Sequence, residues 1–145
     1  MSLTILAKEN VLLNSKVSDK KSAIELVGKI LVTNGYVNSD YIEKMFEREE
    51  LSSTYMGNFV AIPHGTEDAK KSVKETGIVI VQVPNGVDFG NGNIVKLLIG
   101  LAGKNDEHLD VLSKIAIVCS EEENVLSIIN AQSVEEILAI FEEVN

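Results

Sequence analysis

The sequence predicts an α/β or α+β fold in which helices cover both faces of a central mixed β-sheet. Amphipathic helical segments lie toward both ends of the chain, and apolar runs rich in β-branched residues lie between them. Successive runs in this middle region are close enough to pair directly, which favours a mixed sheet over a wholly parallel one. No repeat or linker interrupts the pattern, so residues 1–145 are expected to form a single domain.

The first third of the chain predicts one short strand and two helices. Residues 9–14, ENVLLN, favour the strand, and residues 18–36 and 38–51 have the apolar spacing of amphipathic helices. The residues expected to face the core are Ala23, Leu26, Val27, Ile30 and Leu31 in the first helix and Tyr41, Ile42, Met45 and Phe46 in the second.

The middle of the chain predicts three strands. They are FVAI at residues 59–62, GIVIVQVP at 77–84 and IVKLLIGLAG at 94–103. A loop containing glycine is expected before the first of them. The turn-rich segment NGVDFGNGN, residues 85–93, is expected to form a loop between the second and the third.

Three helices are expected after the last strand, the first of them at residues 105–120. The residues expected on its inner face are Leu109, Leu112, Ile115, Ala116 and Cys119. Side chains that cap helix N-termini are expected at Ser39 or Asp40, at Asn105, and in two capping boxes, Ser120 with Glu123 and Ser133 with Glu136.

The composition disfavours several classes of partner. The chain carries 22 acidic and 13 basic residues, a net charge of -9, without a local basic stripe, so a nucleic acid or an anionic membrane surface would repel it. Its apolar stretches fall well short of the roughly 20 residues that span a bilayer, so no membrane insertion is expected. Cys119, the single cysteine, has no partner for an internal disulfide, and no signal peptide is recognisable, so the expected location is the cytoplasm.

One short segment, FVAIPHGT at residues 59–66, contains one of the two histidines of the chain. Pro63 keeps the residue before it extended and cannot donate to a strand ladder, so the strand should end there and hold His64 at the rim of the sheet. Ligands and catalysis collect at the carboxyl ends of strands in open α/β sheets, where a neutral imidazole can act as nucleophile, base or metal ligand. A histidine that only caps a turn is an equally consistent interpretation of the local sequence.

Three further residues are weaker candidates for a site. His108 lies in the first turn of a helix, where unpaired amides favour an anion, but it also shares a face with Leu112 and fits the edge of the core. Arg48 ends a helix among glutamates and is consistent with a solvated surface charge. Cys119 is better explained as a core residue than as a nucleophile. A metal site of His64, His108 and a carboxylate is conceivable, although no compact His/Cys spacing supports it.

The motif around His64, extended toward the N-terminus, resembles the active-site signature of a known family. That family is the mannitol/fructose class of enzyme IIA in the bacterial phosphoenolpyruvate-dependent sugar phosphotransferase system. The likeness covers most of the chain from residue 48 onward, and Thr54 and Tyr55 resemble the mannitol branch. The matching residues are Glu49, Met56, Gly57 and Val60 to Gly65.

The resemblance implies a role for each candidate. His64 would be phosphorylated by the phosphocarrier HPr and would pass the phosphoryl group to a cysteine of the IIB component of a sugar permease, for uptake of mannitol or a related hexitol. His108 and Arg48 match the family's other active-site positions, which stabilise the phosphoryl group. We expect no cofactor and no metal ion. The resemblance also leads us to expect a free-standing IIA, without fused IIB and membrane portions.

The chemistry of phosphoryl transfer supports the same interpretation of His64. The transition state is loose and its charge lies on the equatorial oxygens, so the protein mainly positions groups and supplies donors. We expect attack through Nε2 while the backbone holds Nδ1. If partner proteins dock at this rim, exposed apolar residues are expected near His64. Met56 and Phe59 are the candidates. Either residue also fits the core. A regulatory binding module of the same fold and a metal-binding domain remain the alternatives.

Overall fold

The computed structural model of the protein describes residues 7–104 and 107–142. Its strands are β1 (Val11–Leu12), β2 (Tyr55–Gly57), β3 (Val60–Ala61), β4 (Gly77–Asp88) and β5 (Ile94–Ala102). Its α-helices are α1 (Lys20–Thr33), α2 (Tyr41–Leu51), α3 (Glu107–Cys119), α4 (Glu122–Ile129) and α5 (Val134–Glu142), with short 3₁₀ helices at Lys8–Asn10 and Glu67–Ser72. No helix in these two ranges combines the length and the apolar character needed to cross a membrane.

The strands form one mixed sheet in the order β1-β4-β5-β3-β2. The β1·β4 and β3·β5 pairs are parallel, whereas β4·β5 and β2·β3 are antiparallel. This confirms the predicted mixed sheet. Because parallel neighbours end at the same edge, the chain leaves β3 toward His64 and leaves β5 toward α3 from one side of the sheet.

Helices cover both faces of the sheet, as the sequence predicts. Side chains alternate along a strand, so β4 directs Ile78 and Ile80 to one face and Val79 and Val81 to the other. The first pair packs in a core with α3, α4 and α5, and the second packs in a core with α1 and α2. Each fully buried aliphatic side chain of this kind stabilises the fold by about 1.5–3 kcal/mol, so the two layers hold the sheet rigidly between them.

The strands differ from their predicted bounds in three respects. Residues 55–57, expected in a loop, form β2 and pair with β3 in a tight hairpin. β1 and β3 are each shorter than predicted. β4 continues to Asp88, beyond the predicted end at Pro84. The β4·β5 register shifts between Gln82 and Val87, so the proline lies at an irregularity and removes no bond from the regular ladder.

Helix capping follows the sequence in α5 and departs from it in α4. The Ser133 N–H donates to Glu136 Oε2 at 3.2 Å, and the Glu136 N–H donates to Ser133 Oγ at 3.3 Å, which confirms the predicted capping box. The predicted box of Ser120 with Glu123 is wrong. Ser120 Oγ instead donates to the Ile117 carbonyl at 2.8 Å, so this hydroxyl closes the end of α3 rather than the start of α4.

The starts of α2 and α3 show two further differences. Asp40 occupies the N-cap position of α2, but its Oδ2 accepts a hydrogen bond from Ser72 Oγ at 3.0 Å rather than from the first turn. Asn105, the expected N-cap of α3, lies outside the described residues. The predicted inner face of α3 is wrong at Leu109, which is 72% exposed, whereas Val111 is buried. Two residues along a helix point to nearly opposite sides, so burying Val111 exposes Leu109.

A buried carboxylate closes the corner between α2 and β2. Glu49, only 6% exposed, accepts hydrogen bonds from the Thr54 N–H at 3.0 Å and from the Thr54 hydroxyl at 2.6 Å. Lys20 Nζ, at the start of α1, lies 3.0 Å from the same carboxylate. Burial raises the pKa of Glu49, but the hydrogen bonds from Thr54 and Lys20 lower it by more in sum, so the pKa lies below its ordinary value. The charged carboxylate therefore holds α1, α2 and the start of β2 together.

Glu49→Gln should destabilise the protein by about 1–3 kcal/mol at neutral pH, because Lys20 loses its partner and an amide oxygen replaces a charged acceptor of two Thr54 donors. The measurement is the free energy of unfolding in urea across a pH series. The folded-state pKa of Glu49 lies below its ordinary value of 4.5, so the stabilisation is complete above that value and disappears as the pH falls through the folded pKa. The difference between wild type and variant should therefore shrink in acid.

Glu50→Gln is the matched control for this experiment, because Glu50 is the next residue of the same helix and is exposed. Its effect should stay within about 0.5 kcal/mol of wild type. Equal unfolding free energies for wild type and Glu49→Gln at neutral pH would contradict the role of the buried carboxylate.

Candidate active site at the end of strand β3

His64 lies just beyond β3, at the edge where β3 and β5 both end. It forms an isolated parallel bridge with Leu101 of β5, and the Leu101 N–H donates to the Pro63 carbonyl at 3.0 Å. Regular pairing of β3 stops at Ala61, so the strand ends before Pro63 as predicted. His64 itself is half-buried. The sheet therefore supports the histidine backbone while part of the residue remains accessible to solvent.

The backbone fixes the orientation of the His64 ring. Nδ1 lies 2.7 Å from the carbonyl oxygen of Ile62, which confirms the predicted contact. A carbonyl oxygen only accepts hydrogen bonds, so Nδ1 carries the proton and the lone pair of the neutral ring belongs to Nε2. In this tautomer Nε2, rather than Nδ1, is the basic nitrogen of the ring.

Tyr41, at the start of α2, reaches the same segment. Its hydroxyl accepts the Gly65 N–H at 2.9 Å and donates to the Leu101 carbonyl at 2.9 Å. Burial raises the pKa of Tyr41 to about 12, so the hydroxyl keeps its proton at neutral pH. The apolar spacing of α2 predicts Tyr41 as a core residue, and its 3% exposure confirms this, but no sequence pattern predicts where the hydroxyl bonds.

Arg48 and His108 belong to two other segments of the fold. Arg48 lies in the last turn of α2, and its Nη1 donates to the Ser52 carbonyl at 2.8 Å and to Ser52 Oγ at 3.2 Å. The chain after Arg48 approaches the motif, because the Ile62 N–H donates to the Thr54 carbonyl at 3.1 Å. His108 is in the first turn of α3, and its side chain lies outside the described part of the structure. The structure thus brings Thr54, which follows α2, beside the His64 segment.

Thr76 ties the start of α3 to the same edge of the sheet. Its hydroxyl donates to Glu107 Oε1 at 2.8 Å and accepts the Lys104 N–H at 2.9 Å. Thr76 immediately precedes Gly77, which pairs with Ala102 at the end of β5. These bonds hold the first turn of α3 beside the end of β5. The sequence does not predict this role of Thr76, because a single threonine before a strand has no distinctive pattern.

The β2–β3 hairpin, whose turn lies at the other end of β3 from His64, carries exposed apolar side chains. Its two turn residues, Asn58 and Phe59, have φ values of 50° and 69°, the sign pattern of a type I′ turn. Such turns favour asparagine and glycine, so an aromatic residue in the second position is strained. Phe59 is 39% exposed and Met56 is 42% exposed, which confirms that both predicted candidates reach the surface. Lys96 Nζ lies 5.1 Å from the centroid of the Phe59 ring.

Two other kinds of reactive group were candidates for the site, namely metal ligands and the Cys119 thiol. Among the described side chains, which do not include that of His108, no three from His, Cys, Asp or Glu are grouped so that they could hold a metal ion. Cys119 is buried, and burial raises its pKa to about 12, so it is a protonated thiol and a poor nucleophile at neutral pH. The prediction of Cys119 as a core residue is confirmed. The arrangement is suited to nucleophilic chemistry at the His64 imidazole.

Comparison with known sequences identifies relatives along nearly the whole chain. The model of the family described as "Phosphoenolpyruvate-dependent sugar phosphotransferase system, EIIA 2" matches residues 4–144. The mannitol-specific phosphotransferase enzyme IIA component of Geobacillus stearothermophilus is 68% identical over 145 residues, which cover 100% of both proteins.

Solved structures of similar proteins share the fold. The crystal structure of IIA mannitol from Escherichia coli matches with a TM-score of 0.87 and 38% identity, over 93% of this chain and 97% of that one. A complex of enzyme IIAMTL and phosphorylated enzyme IIBMTL, also from Escherichia coli, contains a chain that matches with a TM-score of 0.86 and 35% identity, over 93% of this chain and 95% of that one. The chain therefore belongs to the EIIA 2 family of the phosphoenolpyruvate-dependent sugar phosphotransferase system.

Proposed function

We propose that His64 Nε2 is the atom that carries the phosphoryl group in this phosphotransferase component. It receives the group from phospho-HPr and passes it to a cysteine of a IIB component. The observation that carries the proposal is the 2.7 Å contact between Nδ1 and the Ile62 carbonyl, which assigns the proton to Nδ1 and the lone pair to Nε2.

The transfer steps need little acid–base chemistry from His64. In the first step the bond from phosphorus to its donor breaks as the P–Nε2 bond forms, and in the second the P–Nε2 bond breaks as the bond to the IIB sulfur forms. Nδ1 keeps its proton throughout, and the Ile62 carbonyl stabilises the positive charge that develops on the phosphorylated ring. The charge on the equatorial oxygens requires donors, a role that we assign to Arg48 and His108.

The sugar assignment rests on the relatives. The Geobacillus stearothermophilus protein, 68% identical to this chain, is a mannitol-specific component, so we propose that this chain serves uptake of mannitol or a related hexitol. A IIA domain does not bind the sugar, so sugar choice would depend on which IIB component it recognises. The solved IIAMTL complex with phosphorylated IIBMTL supports a IIB component as a partner of this chain.

The regulatory alternative uses the same chemistry at His64 and differs in the fate of the phosphoryl group. A module that only signals would keep its phosphoryl group, whereas a transport component loses it rapidly to the IIB cysteine. Rapid dephosphorylation by a mannitol IIB domain, but not by an unrelated IIB domain, would support the transport function.

The hairpin of β2 and β3 is the proposed edge of the docking surface for both partners. Phe59 and Met56 offer exposed apolar area on this hairpin, whose turn lies at the other end of β3 from His64, and Lys96 beside the Phe59 ring supplies a positive charge. Apolar contacts with a polar or charged margin are typical of transient protein interfaces. A partner that contacts both the hairpin turn and the histidine would extend along the length of β3.

Incubation with enzyme I, HPr and phosphoenolpyruvate should add one phosphoryl group to the wild-type protein, through an acid-labile and base-stable bond. Intact mass before and after acid treatment measures the uptake, and peptide mapping locates it. His64→Ala should take up none, because it lacks the only nitrogen that we assign as acceptor. Phosphorylation of a folded His64→Ala protein would overturn the proposal.

His108→Ala should still be phosphorylated at His64, but transfer from phospho-HPr should slow by on the order of 10² to 10³, the usual effect of removing one donor aimed at developing charge. Its position in the first turn of α3 motivates this expectation, because helix N-termini favour anions. Rapid-quench kinetics measure the rate, with thermal unfolding as the check on folding. A wild-type rate would leave His108 as a residue at the edge of the core.

Phe59→Asn should separate docking from folding. Asparagine adopts positive φ with less strain, so the melting temperature should not fall, whereas the apparent KM for phospho-HPr should rise about tenfold with little change in kcat. Leu12→Asn is the matched control, because Leu12 is also 39% exposed but lies on β1, at the opposite edge of the sheet. An unchanged KM for Phe59→Asn would argue against this docking surface.

A further inference from the structure

We propose that Tyr41 is a positioning residue for phosphoryl transfer, whose hydroxyl holds the backbone around His64 so that Nδ1 stays on the Ile62 carbonyl. This inference rests on the function proposed for His64. It concerns a residue that lies in α2, away in sequence from the motif, and that acts through the backbone rather than by touching the phosphoryl group.

The Tyr41 hydroxyl joins two chain segments that lie next to the histidine, the residue after it and strand β5. It accepts the Gly65 N–H and donates to the Leu101 carbonyl, both at 2.9 Å. Gly65 directly follows His64, and Leu101 is the residue of β5 that bridges to His64. One hydroxyl group therefore fixes the residue after the histidine relative to the strand beside it.

Two backbone hydrogen bonds complete this frame on the other side of His64. The Ile62 N–H donates to the Thr54 carbonyl at 3.1 Å, and the Pro63 carbonyl accepts the Leu101 N–H at 3.0 Å. With Tyr41 in place, the chain is held before, at and after the turn that carries the ring. Without the hydroxyl, Gly65 loses its hydrogen bond to α2, whereas the residues before His64 keep theirs to Thr54 and Leu101.

The aromatic ring of Tyr41 explains the glycine that follows the histidine. A Cβ at Gly65 would lie 2.7 Å from Tyr41 Cε1 and 3.0 Å from the Ala69 Cβ, which is closer than side-chain atoms pack. Because Gly65 has no Cβ, the Tyr41 ring can approach closely enough for its hydroxyl to accept the Gly65 N–H. Tyr41 is 3% exposed, so water has little access to replace a missing hydroxyl, and both of its partners would lose a hydrogen bond.

Tyr41→Phe tests the inference, because it deletes the hydroxyl and keeps the ring. At saturating phospho-HPr the transfer rate should fall at least about tenfold, since misplacing a reacting group by about 1 Å can cost on the order of 10²-fold. The KM for phospho-HPr should change little. Nitrogen-15 NMR of the His64 ring should show an increased fraction of the tautomer that is protonated at Nε2, a change that a purely structural role would not produce.

Tyr36→Phe is the matched control, because the Tyr36 hydroxyl accepts a hydrogen bond from Asn10 Nδ2 at 2.7 Å, near β1. It removes one tyrosine hydroxyl from the fold and should leave the transfer rate and the His64 tautomer at wild-type values. If Tyr41→Phe does not fold, Gly65→Ala provides the second variant, since the added methyl group pushes the Tyr41 ring away and should produce the same slow transfer and the same tautomer change.

The outcomes separate this inference from the function on which it rests. Slow transfer and an altered tautomer in Tyr41→Phe alone would support the positioning role. Wild-type rate and tautomer in Tyr41→Phe, or equal losses in Tyr36→Phe, would overturn it while leaving the role of His64 intact. Failure of the wild-type protein to become phosphorylated at His64 would instead overturn the proposed function, whatever Tyr41 does.

Discussion

The hydrogen bond between His64 Nδ1 and the Ile62 carbonyl is the interaction on which the site depends. It selects one of the two neutral tautomers and gives the lone pair to Nε2. Donor and acceptor are only two residues apart, so the bond exists only while the chain keeps its shape around Pro63. The chemistry of the ring is therefore set by how firmly the neighbouring elements hold a few backbone groups.

Those backbone groups are held by parts of the chain that are distant in sequence. α2 contributes twice, through the Tyr41 hydroxyl at its first turn and through the Glu49 carboxylate at its last, which binds Thr54. β5 contributes through Leu101, which pairs with the histidine segment. α2 packs on one face of the sheet and α3 packs on the other. The two buried cores therefore fix the positions of both helices relative to the strand ends near His64. A loop without such supports would sample many orientations of the ring.

The sequence predicts the parts of this arrangement that repeat along the chain or depend on one residue's chemistry. Helical spacing predicts α1 and α2, β-branched runs predict β4 and β5, and Pro63 predicts where the β3 strand ends. It does not predict partners that meet only after folding, such as the Tyr41 hydroxyl with Gly65. Local signals also mislead where packing decides, as at Leu109, which packing of α3 leaves exposed. Ser120 caps the end of one helix rather than the start of the next, because both positions suit a serine hydroxyl.

The strained hairpin beside this rigid frame has a different explanation. The Phe59 carbonyl accepts the N–H groups of Lys96 at 2.8 Å and Leu97 at 3.0 Å, and Asn58 Nδ2 donates to the Cys119 carbonyl at 3.3 Å. These bonds fix the turn without using the Phe59 side chain, so a glycine or asparagine would satisfy the backbone with less strain. The ring is also partly exposed, so its burial compensates little of that cost. An aromatic residue in such a position is best explained by contacts outside the chain, which is what the proposed docking of a phosphoryl donor or acceptor on this hairpin requires.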